Sequence, residues 1–214
     1  MRQRQDWGRH GSVRWYAVLS SATAPVLLIG GWSVAAARQP AGFSSLTDTI
    51  SALAGHGATD RMLMTLALLG VGLCHCLTAL GLRPLAVPAR VMLATGGVAT
   101  VLVAAVPLPR TGSSGTHQLA ATVAFACLAL WPALSRVPGN APQPVPPALL
   151  RAATGVLVTL VVLFSVALAA GVLVGLAERV AAGAQSLWPL ATVLALHPRT
   201  RPLMRLAPVT PRRT

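Results

Sequence analysis

The residues able to do chemistry are few, and they gather. Of four acidic residues, Asp48 and Asp60 lie in the stretch GFSSLTDTISALAGHGATDR (42–61) with Ser51, His56 and Arg61, and Glu178 is followed directly by Arg179. His117 stands at the mouth of an apolar run entered through PLPRTGSSGT, which carries Arg110. A carboxylate beside an imidazole can act as general acid or base, so Asp48, His117 and Glu178 are the candidate catalytic groups. Arg at a membrane border can hold a phosphate or carboxylate, which makes Arg61, Arg110 and Arg179 candidate binding residues together with Ser51. Gln185 and Trp188 follow Glu178 at helical spacing and would extend the polar site roughly one to three turns along the same helix side. The competing reading of the same charges is an ion-pair and capping network that ties short loops together. In that reading Gln185 makes an interhelical hydrogen bond and Trp188 packs. In either reading Glu178 faces Arg61, Arg110 or His117, or a bound cationic or protonatable group, because a lone carboxylate at a membrane border is costly.

Other chemistries find little support. His56, His117 and one carboxylate are ligand types that suit zinc or iron, yet no HExxH-type spacing accompanies them, so no metal is assigned and no cofactor is named. His75, in LCHCL, lies roughly 20 Å below Arg61 at about 1.5 Å per residue, and no second histidine at that depth supplies an opposite haem ligand. It reads as a hydrogen-bonded packing residue. Cys74, Cys76 and Cys127 all fall in apolar segments and imply no disulfide framework. No Walker, GxGxxG or GxSxG element is present, which leaves nucleotide use and a nucleophile elbow unsupported.

The elements that position these residues are membrane spans. The chain has 214 residues, 54% of them apolar and 10% charged, and its mean hydropathy is +0.67; uncharged runs of about twenty residues recur, each able to cross a hydrocarbon core of roughly 30 Å as a helix. Six such runs predict an all-α polytopic integral membrane protein: about Trp15 to Ala37, Met62 to Leu82, Val91 to Val106, His117 to Leu134, Ala152 to Val174, and a sixth ending near His197. Residues 1–14 read as a basic tail, 15–197 as one six-helix transmembrane domain, and 198–214 as a Pro/Arg-rich tail. The run at Trp15 exceeds the roughly 7 to 15 apolar residues of a signal-peptide core and reads as a retained span. All 17 basic residues are Arg. All but four of them, Arg38, Arg61, Arg110 and Arg179, fall in segments that the positive-inside rule places in the cytoplasm, together with both termini. The net charge of +13 therefore follows topology, with no aromatic interleaving to suggest nucleic acid.

That topology puts the polar cluster on the outer face. Between the first two spans, Ser45 and Asp48 resemble a capping box, and Leu46, Ile50 and Leu53 then recur at helical spacing, predicting a short helix that lies in the interface or dips back against the bundle. Gly55 and Gly57 stop it, and Thr59 or Asp60 would cap the next span. ATGGVAT in the third span suits close helix packing through small residues.

ISALAGHGATDR before the second span, PLPRTGSSGTH at the fourth, and GLAER followed nine residues after its Arg by Trp188 together resemble the bacterial membrane family called domain of unknown function 998. The resemblance implies a six-helix membrane protein with polar positions at Ser51, Arg61, His117, Glu178 and Arg179. Ala52 follows the Ser, so no carboxylate role carries over at that position. The expectation is a plasma-membrane protein whose outer pocket binds or acts on an amphiphile, such as a lipid or isoprenoid intermediate, by acid–base chemistry. The alternative is a non-catalytic transport, immunity or assembly protein. Membrane lipids and a small amphiphilic ligand are the expected partners, nucleic acid is not, and the oligomeric state is left open.

Overall fold

The computed structural model describes residues 12–112, 114–139 and 143–197. The tail read over 198–214 and most of that read over 1–14 lie outside them. The described residues form seven helices and no strand: α1 (Trp15–Ala37), α2 (Ile50–Ala54), α3 (Met62–Gly81), α4 (Val87–Ala105), α5 (Gly115–Leu134), α6 (Pro147–Ala170) and α7 (Val174–Leu196). Five of them, α1 and α3 to α6, are long and apolar enough to cross a membrane. The chain is an all-α polytopic membrane protein.

Several boundaries differ from the hydropathy reading, for local reasons. α4 begins at Val87 and α6 at Pro147, each with a proline in its first two positions. Proline's fixed φ suits a first turn, and its missing N–H costs nothing there. Arg90 is consequently inside α4, where its Nε donates to Ala79 O at 2.9 Å and so satisfies a carbonyl at the end of α3. α6 ends at Ala170 because Gly171 takes the left-handed conformation (φ 68°) of a C-terminal cap. The α6–α7 turn is therefore 171–173, and Glu178 sits in the second turn of α7.

The six long helices close into a ring, α1–α3–α4–α5–α6–α7 and back to α1, each packed on its two neighbours. α3 and α4 meet backbone to backbone. A Cβ at Gly97 would lie 2.7 Å from Gly72 O, and one at Gly72 would lie 2.6 Å from Gly97 O, so only a hydrogen at both places lets the backbones meet. α6 is the least engaged member, with only Leu150, Ala153 and Leu157 buried. α2 closes one end of the ring by packing on α1, α3 and α7. Two apolar cores fill the interior. One gathers around Ile50, Leu53, Met64 and Val103 beneath α2, the other around Leu82, Leu93, Trp131 and Val193 towards the opposite end.

Candidate functional site

The short helix that closes the ring is built differently from the expected capping box. Thr49, not Ser45, caps α2, its Oγ1 accepting from Ala52 N–H at 3.0 Å. Residues 44–48 form turns instead, in which Asp48 Oδ2 accepts the Ser44 N–H at 2.8 Å. Helix therefore starts only at Ile50, and Leu46 is left 52% exposed while Ile50 and Leu53 are buried against the bundle. Asp48 thus holds its own loop, and it lines neither of the two cavities that Glu178 borders. At the far end, Arg61 occupies the N-cap of α3 without a side-chain cap, in place of Thr59 or Asp60.

The 45–48 loop is clamped to the start of α7. Arg179 Nη1 donates to three carbonyls, Ser45 O at 2.9 Å, Asp48 O at 2.7 Å and Gly175 O at 2.9 Å. Leu176 N–H donates to Leu46 O at 3.1 Å. Gly175 permits this approach, since a Cβ there would overlap Asp48 O and crowd Ser45 O and the guanidinium. Arg179 thus binds backbone, and its Nε and Nη2 are buried with no partner among the described residues.

The clamp delivers α2 to Glu178. This carboxyl is 5% exposed; its Oε2 accepts the Ile50 N–H, and Ser51 Oγ makes a long contact of 3.4 Å to Oε1. Among the described residues no Arg lies within ion-pair distance of it. The single ion pair among the described residues joins Arg38 to Asp60 at 3.1 Å, both exposed, so Glu178 does not pair with Arg61 or Arg110, and of its expected partners only His117 shares a cavity with it. The carboxyl is satisfied by a helix-terminal N–H, a donor that charge counting in the sequence does not register.

Glu178 and Ser51 form part of the wall of a cavity of about 560 Å³ that His117 also lines. His117 is 4% exposed, and its ring Nδ1 lies 2.7 Å from Val106 O. A carbonyl can only accept, so Nδ1 carries the hydrogen and neutral His117 keeps its lone pair on Nε2. Thr49, Gln118 and Thr122 add polar groups, while Phe125, Val161, Phe164 and Leu168 make an apolar wall between α5 and α6. Phe125 and Phe164 meet with ring centroids 5.2 Å apart. Arg61, Arg110 and Arg179 do not line it.

A second, smaller cavity of about 70 Å³ lies beneath, and Ser51, Ala121, Phe125 and Glu178 line both. Gln185 belongs to this lower chamber, its Nε2 donating to Phe125 O of α5 at 3.0 Å. Trp188 lines neither cavity and packs on the core at the opposite end of the bundle. His75 lines the chamber too, and the hydrogen bond expected of it is absent: its Nδ1 is buried without a partner among the described residues. His56 is on an exposed corner, tied by its backbone N–H to Leu108 O at 2.9 Å. No group of three or more metal-ligating side chains occurs among the described residues.

Of the candidate residues, then, Ser51, His117 and Glu178 converge on one cavity and Gln185 on the chamber below it. Sequence reasoning missed Thr49, Gln118, Thr122 and the aromatic wall. Gln118, Thr122 and Phe125 recur at three to four residues on one side of α5, as do Val161, Phe164 and Leu168 on α6, so helical spacing could have paired those faces.

The chain belongs to the family described as Protein of unknown function (DUF998), whose model matches residues 21–195. No curated protein and no solved structure matches the chain.

Proposed function

We propose that this member of the DUF998 family is a six-span plasma-membrane protein with both termini in the cytoplasm, and that its outward-facing cavity binds an amphiphile and acts on the head group by acid–base chemistry. The reading rests on one observation, the cavity of about 560 Å³ with polar and apolar parts. That size falls within the roughly 300–1,000 Å³ usual for small-molecule sites. A hydrocarbon tail would lie along Phe125, Val161 and Phe164, which leaves the head among Ser51, His117 and Glu178. The sixth span is α7, whose 23 residues are long enough to cross and whose polar groups, Glu178 and Gln185, turn to the bundle interior.

The wall holds a carboxyl and an imidazole but no Arg. It therefore suits a hydroxyl or amine head better than a phosphate, which would need cationic donors. His117 Nε2 is the group placed to accept a proton from such a head, because Nδ1 is committed to Val106 O. Glu178, buried and held by the Ile50 N–H, is placed to give or take the second proton. The alternative, a non-catalytic transport, immunity or assembly protein, draws support from the Arg179 clamp, in which a basic group only locks loop to helix.

Lipid mass spectrometry of a deletion strain against its complement tests the reading. Complementation with Glu178→Gln or His117→Ala is expected to leave the lipid change uncorrected at wild-type protein level. Full correction by both variants would defeat acid–base catalysis and leave the non-catalytic role.

A further inference from the structure

We propose that the small chamber beneath Glu178 holds water, and that this water links Glu178 to His75 as a proton relay inside the bundle. The chamber, of about 70 Å³, lies between the two apolar cores. A cavity with only apolar walls stays dry, whereas one that offers a water two to four polar partners fills when it exceeds roughly 10–15 Å³. This one has room for several waters, and its wall carries Ser51, His75, Thr100, Glu178, Gln185 and Ser186.

How those groups spend their hydrogens fixes what they offer inward. Thr100 Oγ1 donates to Gly96 O and Ser186 Oγ to Gly183 O, both at 2.9 Å, and Gln185 Nε2 donates to Phe125 O. Their hydroxyl and amide oxygens remain as acceptors. His75, 1% exposed, has a ring nitrogen with no partner among the described residues. A buried imidazole with an unsatisfied nitrogen beside several acceptors is the arrangement that bridging water completes. One turn further along α3, Thr78 Oγ1 meets Ser20 Oγ of α1 at 2.7 Å, so buried polar groups continue past His75 towards the opposite end of the ring.

Only O–H and N–H bonds change in the relay. The Glu178 carboxyl gives its proton to a chamber water as a water gives one to His75, and the reverse restores the start. Such a path would let Glu178 and buried His75 share a proton without its entering the hydrocarbon. Hydration of the chamber does not depend on what the larger cavity binds, so this inference and the amphiphile reading can fail separately.

The full chain in lipid bilayers, with its five histidines labelled with nitrogen-15, is examined by water-edited solid-state NMR. His75 is assigned through backbone correlations to Cys74 and Cys76, without a variant. Polarisation from water is expected to reach the His75 ring within about threefold of the rate at exposed His56. Gln185→Leu, or Thr100→Val where that does not fold, should slow it by at least about half, with His117 unchanged. A His75 ring that receives nothing from water while His56 does would overturn the hydrated chamber. Deuterium exchange then separates relay from mere wetting: Glu178→Gln should keep the water contact but slow exchange at the His75 ring N–H by about tenfold or more, and an unchanged rate would overturn the relay.

Discussion

Gly175→Ala isolates the contact on which the site depends. The added Cβ would overlap Asp48 O and come within 2.7 Å of Ser45 O and 2.8 Å of Arg179 Nη1. Two of these are backbone atoms in a loop held by hydrogen bonds, so they cannot yield as a flexible side chain would. Overpacking of this kind costs about 1–3 kcal/mol. Displacing the loop would also weaken the Arg179 bonds, each worth roughly 1.5–3 kcal/mol for a charged donor. A total of about 2–4 kcal/mol is expected, which corresponds to a melting temperature lower by about 5–15 °C for a chain of this size. Gly155→Ala is the matched control, because nothing lies within 4 Å of a Cβ there; it should leave the midpoint unchanged or slightly raised, alanine being the better helix former. The assay is thermal unfolding of detergent-solubilised protein with amide exchange read at Ile50, whose N–H is held by Glu178. Faster exchange at Ile50 should accompany the lower midpoint. If Gly175→Ala melts with the wild type and Ile50 keeps its protection, the clamp does not hold α2 in place and the argument fails.

Glu178→Ala should destabilise more than Glu178→Gln, because alanine leaves the buried Ile50 N–H without an acceptor, at about 1–3 kcal/mol, whereas glutamine keeps an oxygen there; the order of their melting midpoints checks this. Gly97→Leu should collapse the yield of folded protein by prising α4 from α3, and Gly30→Ala, with nothing within 4 Å, should be neutral by size-exclusion profile. Arg38→Ala should shift the midpoint hardly at all, since the Arg38–Asp60 pair is about half exposed on both sides and such pairs contribute about 0–1 kcal/mol.

Hydropathy and length made most of the fold legible: each of the six apolar runs coincides with a long helix, and the small-residue run ATGGVAT meets α3 through Gly97 and packs Gly96 against Leu128 of α5. What the sequence reading misplaced were helix ends set by local backbone chemistry, as at Pro147, Thr49 and Gly171. The site was legible as a set of residue types but not as pairings. Charge balance suggested that Arg and carboxylate would meet, yet Arg179 spends its Nη1 on carbonyls and Glu178 takes a backbone N–H. Backbone donors and acceptors are identical at every position of a sequence, so no residue pattern announces which of them a buried charge will use. His75 escaped for a related reason: its missing partner is visible only once the helices around it are placed.

The central claim, that the cavity walled by Glu178, His117 and Phe164 holds an amphiphile, is tested most directly by native mass spectrometry of the protein extracted from membranes in mild detergent. The wild type should retain a bound molecule with a hydroxyl or amine head, and Ala126→Trp, which adds an indole to the cavity wall while leaving Glu178 and His117 unsubstituted, should lose it by about tenfold or more. A wild type that emerges bare from membrane extracts, or an Ala126→Trp variant that retains the same molecule equally well, would contradict the account.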